Sequence, residues 1–400
     1  MKRRSRCPRR VYPAPRFNAG FIERIYMSIK NILQKDNFTR DDIIALLGAD
    51  NPTDIELIRN KAEQILLDKC GLKVFYRGLI EFSNTCVCDC HYCGIRKSNH
   101  TVKRFTLSKE EIVSAAKWCA DSGYGSVVLQ SGERSDPAFV DFAEDVIRQI
   151  KSATVSQSLP QGVGITLSIG EQSLQTYERF FKAGAHRYLL RIETSSPKLF
   201  DSIHSSTQNL ERRITAIKNL KQASFQAGTG VMIGLPGQSA ENLADDILRF
   251  KELDVDMIGM GPYIPHKDTP MSIHTEYFNI NKDKIFQTSL LMIAVCRLVL
   301  KDVNIASTTA LQAIRDDGRE MGLRYGANVM MPQVTPVNVR RDYLLYEGKP
   351  CLDESSEELR KGLDLRIRSL GRQVALNEWG DSKHARTAEK PRHGGVFCGT

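Results

Sequence analysis

From residue 77 onward, short runs of aliphatic and β-branched residues alternate with stretches in which apolar positions recur every three or four residues. The runs fall at 78–82, 126–130, 164–168, 187–191, 230–234, 257–261, 304–309 and 328–331. Helix-type spacing occupies 108–122, 137–154, 172–184, 208–226, 239–252, 281–300 and 315–323 between and after them. Eight strands alternating with seven clear helices predict an α/β fold, a (β/α)8 TIM barrel. A doubly wound open sheet of eight strands fits the same alternation and stays as the rival. Ahead of the barrel, Thr39 precedes Asp41 and Asp42 as a helix cap, with Ile43, Ile44, Leu46 and Leu47 behind it. Asp54 is expected to open a second helix through Ile58, Ala62 and Leu66.

Polar residues stand where the runs end: Asn84, Gln130 to Glu133, Ser168 to Glu171, Arg191, Glu193, His266, Thr308 and Thr309. Buried strands that finish in charged groups are hard to explain by packing. In a barrel those ends converge on the C-terminal face, where active sites lie.

The chain has 400 residues, 41% hydrophobic and 26% charged, enough for one large domain or two small ones. Its formal charge of +9 sits in the tails. Residues 1–22 hold seven Lys/Arg and no acid, 381–400 hold four basic and two acidic residues, and 23–380 are neutral. A basic nucleic-acid surface on the main domain therefore loses its support. No apolar run approaches the roughly 18 residues that span a bilayer, so no membrane partner is expected. The expected organisation is a basic, disordered extension at 1–26, N-terminal helices at 27–76, the barrel at 77–350 and a C-terminal helix and tail at 351–400. The Arg- and Pro-rich start also reads as a targeting peptide or as sequence upstream of the true start at Met27. Cytoplasm is the expected location, an organelle the alternative.

Of ten cysteines, Cys86, Cys88, Cys90 and Cys93 fall within eight residues, directly after the first barrel strand. The others are scattered, and nothing marks a secreted disulfide scaffold. Three thiolates in the pattern Cys86-x3-Cys90-x2-Cys93 can hold a cubane and leave one iron open. With Cys88 included, four thiolates could instead hold zinc.

CxxxCxxC with Tyr92 just before the last cysteine, after strand one of a barrel, resembles the radical S-adenosylmethionine (SAM) superfamily. LQSGE at 129–133 stands where that family has its GGE motif, with Ser131 replacing the first glycine. Phe82-Ser83-Asn84, LSIGE (167–171), YLLRIET (188–194), MIGLPGQS (232–239), GPYIPHKDTP (261–270), STTAL (307–311) and GANVMMP (326–332) further resemble the HydE-type maturases of FeFe-hydrogenase, from about residue 37 to 351. Biotin synthase and methylornithine synthase are similar relatives.

The resemblance implies one 4Fe-4S cluster on Cys86, Cys90 and Cys93, and SAM bound at its open iron and cleaved to a 5′-deoxyadenosyl radical. It implies cofactor contacts from Tyr92, Ser131, Glu133, Glu193, Arg212 and Gly234, with the adjacent Arg213 a weaker match than Arg212. It places Arg191, Tyr343, Thr166, Thr308 and Thr309 around a small sulfur-containing iron substrate supplied by a partner maturase. An electron donor such as ferredoxin or flavodoxin is implied as a further partner. Read without the resemblance, Arg191 and Glu193 could be a buried structural ion pair and Thr308-Thr309 β-branched strand filling. His266 is as readily a loop residue satisfied by backbone as a functional one. Some maturases carry a second cluster on cysteines at offsets of eight and eleven. Cys351 is present, but Leu359 and Gly362 occupy those offsets, so a single cluster is expected. The alternatives are a biotin synthase- or methylornithine synthase-like reaction on an organic substrate, and a non-catalytic metal-binding scaffold that would need Cys88 as a ligand.

Overall fold

The computed structural model describes residues 28–387. The basic segment at 1–26 and the chain beyond 387 lie outside the described residues. Eight parallel strands make the barrel wall: β1 (Lys73–Ser83), β2 (Ser126–Ser131), β3 (Gly164–Ser168), β4 (Arg187–Leu189), β5 (Gln226–Thr229), β6 (Met257–Ile258), β7 (Asn304–Ser307) and β8 (Val329–Met330). Each pairs with the next, and β8 returns to β1 through Phe75↔Val329 and Tyr76↔Met330, which closes the sheet. A closed (β/α)8 barrel, and no open sheet, is what the alternation encodes.

Helices cover the wall, and their apolar faces explain why. In Pro137–Ala153, Phe139, Val140, Ala143, Val146, Ile147 and Ile150 are buried on one stripe. Asp136 caps that helix by accepting from the amide of Phe139, and Pro137 fixes its first turn. The long helix Thr275–Leu300 is buried without a break from Ser289 to Leu298, because the N-terminal helices Arg40–Leu47 and Pro52–Cys70 pack over it. Thr39 caps the first of these with a capping box to Asp42. The second starts at Pro52, two residues before Asp54, because Asn51 is its cap.

The fifth run is displaced from expectation. The hydrophobic maximum at 230–234 marks Met232–Ile233, which pairs with Gly261–Pro262 in a separate two-stranded piece above the wall. The wall strand itself is the weakly apolar Gln226–Thr229. Its Gly228 is small because a Cβ there would press on Met257 and Leu189 inside the barrel.

The opposite, N-terminal end of the barrel is plugged by the C-terminal segment. A short strand, Gln373–Ala375, pairs in parallel with the start of β1. Trp379 then stacks on His186 at 4.6 Å. The carbonyl of Gly380 accepts from Arg77 (3.1 Å) and Asn304 (2.8 Å), and Asp381 pairs with Arg187 (2.5 Å) and His186 (3.0 Å). Among the described residues, no helix is long and apolar enough to cross a membrane.

Candidate active site

β1 runs straight into the cysteine loop, and polar side chains hold that loop in shape. Asn84 accepts from the amide of Phe105 and donates to the carbonyls of Lys103 and Asp342. The Arg104 guanidinium donates to four loop carbonyls, those of Asn84, Ile95, Arg96 and Asn99, at 2.6–3.0 Å. One side chain thereby ties together four carbonyls of the loop. The loop rests on β2 at Gly132, where a Cβ would strike Cys86 and the Thr85 carbonyl. Ser131 precedes it and turns its hydroxyl onto the Gly132 carbonyl at 2.7 Å.

Cys86, Cys88, Cys90 and Cys93 all line one cavity of about 310 Å³ at the C-terminal mouth of the barrel. The Glu133 amide donates to Cys86 Sγ (3.3 Å), and Gln208 Nε2 donates to Cys90 Sγ (3.2 Å). A hydrogen bond from Cys88 lowers the Cys86 thiol to about 7, while burial raises Cys90 to about 11 and pushes Cys93 well up. Thiols gathered at one cavity, with N–H donors on Cys86 and Cys90, suit a cationic iron–sulfur core that would stabilise them as thiolates. The donor set fits such a cluster.

Beside the thiols stands a charged cradle. Arg213, from helix Leu210–Gln222, meets Glu171 at 2.7 Å and Glu133 at 3.3 Å and donates to the Arg191 carbonyl. Burial opposes its charge, but the two carboxylates outweigh that and hold the guanidinium protonated. Glu133 lies against Gly170, whose φ of 84° and lack of a Cβ make the room. Glu193 also lines the cavity, with a backbone φ of 64°. Its Oε2 is buried in an ion pair with Arg191 Nη2 at 2.8 Å. A carboxylate has about four acceptor sites, so Glu193 can keep Arg191 and still accept from the ammonium or ribose hydroxyls of a bound SAM.

Of the residues singled out in the sequence, Tyr92, Ser131, Glu133, Glu193, Arg191, Tyr343, Thr308 and Thr309 share the cavity with the four cysteines. Three others do not. Arg212 points to solvent, with 69% of its side chain exposed, and touches Glu171 only at 3.3 Å. Successive helical residues are turned by about 100°, so Arg213 faces in where Arg212 faces out. Thr166 is buried below the cavity, where its hydroxyl accepts from Arg187 Nε at 3.0 Å. Gly234 makes a turn at φ 85° against Ile285 and is not on the cavity wall. Thr308 and Thr309 leave the strand: β7 ends at Ser307, and Thr309 opens the helix Thr309–Ile314. Their hydroxyls meet the Met260 carbonyl and the Tyr346 hydroxyl, both at 3.2 Å. His266 accepts from the Asp268 amide and is buried against Gly94, outside the cavity.

Among the polar wall residues, Glu81, Gln208, Tyr346 and Lys349 were not singled out in the sequence. Only Glu81 carried a signal, as the one charge in the apolar run 78–82.

The Radical SAM superfamily signature matches residues 80–270. The [FeFe] hydrogenase maturase subunit HydE of Thermotoga maritima is 39% identical over 352 residues, which is 88% of this chain and 96% of that protein. The chain belongs to the HydE branch of the radical SAM superfamily. It is therefore an enzyme of that superfamily, whose members use a 4Fe-4S cluster and SAM. The 3-methylornithine synthase of Methanosarcina acetivorans lies further off, 25% identical over 75% of this chain and 81% of that protein. Among solved structures, methylornithine synthase superposes with a TM-score of 0.72 at 23% identity, covering 88% of this HydE-type chain and 98% of its own. The maturase HydG from Carboxydothermus hydrogenoformans gives 0.70 at 19% identity, covering 86% and 79%. These two likenesses speak for the fold alone.

Proposed function

We propose that this enzyme acts in maturation of the FeFe-hydrogenase active site, on a small iron- and sulfur-containing substrate passed on by a partner maturase. The observation that carries the proposal is the convergence of Cys86, Cys90 and Cys93 with Arg213, Glu133 and Glu193 on one barrel cavity, in a chain 39% identical to a HydE.

In this reading Cys86, Cys90 and Cys93 hold one 4Fe-4S cluster, and Cys88 stays a thiol. The cluster and SAM, when bound, supply a 5′-deoxyadenosyl radical. The residues do the rest. Glu193, paired with Arg191, offers its carboxylate to the cofactor, while Arg213 and Glu133 shape its pocket next to Tyr92 and Ser131. Arg191, Thr308, Thr309 and Tyr343 orient the substrate. The barrel wall and the plugged base keep water from the reacting carbon. Thr166 has a supporting place, since it steadies Arg187 beneath the cavity floor. Other maturases and a low-potential electron donor are the partners this chemistry needs, with the cytoplasm as its setting.

The test is anaerobic reconstitution with iron and sulfide, then electron paramagnetic resonance of the reduced protein with and without SAM. One 4Fe-4S signal per chain that shifts with SAM, and is lost in Cys90→Ala but kept in Cys88→Ala, is the expected result. Zinc binding with no reducible cluster would overturn the reading.

A further inference from the structure

The segment 341–350, which follows β8, crosses the cavity mouth as a strap. Its Tyr343, Leu345, Tyr346 and Lys349 line the cavity. Along the rim it is held through its own backbone. Asn84 donates to the Asp342 carbonyl, the Gly94 amide to the Leu345 carbonyl, and the Glu347 amide to the Pro265 carbonyl.

The inner end differs. Glu347 and Gly348 are exposed, and Gly348, at φ 68° with open space around it, turns the chain so that Lys349 dives into the barrel. There its ammonium donates to Glu81 Oε1 (2.6 Å), Glu81 Oε2 (2.7 Å) and the Tyr343 carbonyl (2.9 Å). All three donors are used. Glu81 also accepts from Gln333 Nε2 at 2.7 Å, and the two charged side chains are 2% and 6% exposed. The same ammonium sits 5.2 Å from the centre of the Tyr343 ring, whose hydroxyl accepts from Gln130 at 3.3 Å. A buried ion pair adds little over a well-packed apolar pair for stability, but it fixes geometry strongly, because neither partner can move without stranding a charge.

We propose that Glu81 and Lys349 are a positioning pair, a buried latch that holds the strap shut over the cavity and sets Tyr343 and Tyr346 on its wall. The latch joins a strand residue five positions before Cys86 to the covering segment, so closure of the mouth and placement of the cysteine loop are coupled through β1. It holds for whatever substrate the cavity takes.

The test compares the reconstituted enzyme with Lys349→Met, Glu81→Gln and the double variant. Hydrogen–deuterium exchange is read over 341–350, with β3 as the internal control, and cluster absorbance is followed during chelation by EDTA. Lys349→Met should exchange about tenfold faster in the strap, with β3 unchanged, as expected of a local opening. It should also lose its cluster several-fold faster. The double variant removes the stranded charge as well as the latch. If the pair only fills space, the double variant will exchange like the parent, and that result overturns the proposal. If it is a latch, the double variant opens too. The exchange arm is read equally well on protein that takes up no cluster, so failure of the functional reading and failure of the latch are distinguishable.

Discussion

Arg191 Nη2 lies 2.8 Å from Glu193 Oε2, off the hydrogen-bonding axis, and the two meet because Glu193 takes a left-handed backbone at φ 64°. Two residues apart on an extended strand would also share a face, but β4 has already ended at Leu189. The conformation is held by the Glu193 amide on the Gly230 carbonyl (3.1 Å) and the Met232 amide on the Glu193 carbonyl (2.9 Å).

Strain of this kind costs about 1–3 kcal/mol at a non-glycine residue. Glu193→Gly should therefore melt above Glu193→Ala, by a margin worth about 1 kcal/mol. Both should lose the SAM-induced change in the resonance spectrum. Thermal melts of the two variants side by side decide it, and alanine melting at or above glycine would refute the strain.

The two adjacent arginines should behave oppositely. Arg213→Ala strands Glu133 and Glu171 in a buried cradle, and removing one partner of such a group costs about 3–5 kcal/mol. It should lower the melting temperature and weaken SAM binding by calorimetry. Arg212→Ala breaks a solvent-exposed contact worth about 0–1 kcal/mol and should bind SAM as the parent does.

Gly94 follows Cys93 and lies beneath the strap. A Cβ there would run into the Leu344 carbonyl and the His266 ring. Gly94→Ala should cost about 1–3 kcal/mol by overpacking. It should also cut the iron bound per chain after reconstitution, since the strap and the cysteine loop cannot both keep their places. Unchanged iron content and melting would show that the contact yields.

The plugged base has two histidines with opposite pH demands. Hydrogen bonding to Asp302, aided by Asp254, raises His384 to about 9, so its contribution is fully present below its unfolded value of about 6.5 and is lost as pH rises through 9. Burial, then Arg187, lowers His186 to about 4, so its contribution is present above about 6.5 and is lost as pH falls toward 4. The melting temperature of His384→Ala relative to the parent should be depressed near pH 6 and recover above pH 9. A depression that is flat across this range would show that the imidazolium is not what holds the segment.

The barrel was legible because eight β-rich runs alternate with amphipathic helices, and periodicity survives in strands that are buried on both faces. The fifth strand was misplaced because Ala227 and Gly228 are small for packing reasons, so the hydropathy maximum fell on Met232–Ile233 beyond it. Choosing between Arg212 and Arg213 needs the phase of a helix, which depends on Asn209 being the cap. Spacing alone does not reveal that. The Glu81–Lys349 pair spans 268 residues, and no local pattern links partners so far apart. The lone carboxylate amid Leu79, Ile80 and Phe82 nonetheless announced that some cation had to come to it.

The closure of β1 has a consequence for synthesis. Its early residues pair with β8 and then with Gln373–Ala375, and Arg372 reaches the Leu72 carbonyl across 300 residues. At about 5–20 residues per second, the ribosome takes roughly 15–60 s to make the stretch that completes this strand's neighbours. For that interval β1 is an open edge with four thiols at its end. The nascent chain is then at its most vulnerable to mispairing and oxidation, and its cysteine loop is most open to metal, so expression of this enzyme should depend sharply on iron supply and anaerobiosis during translation itself.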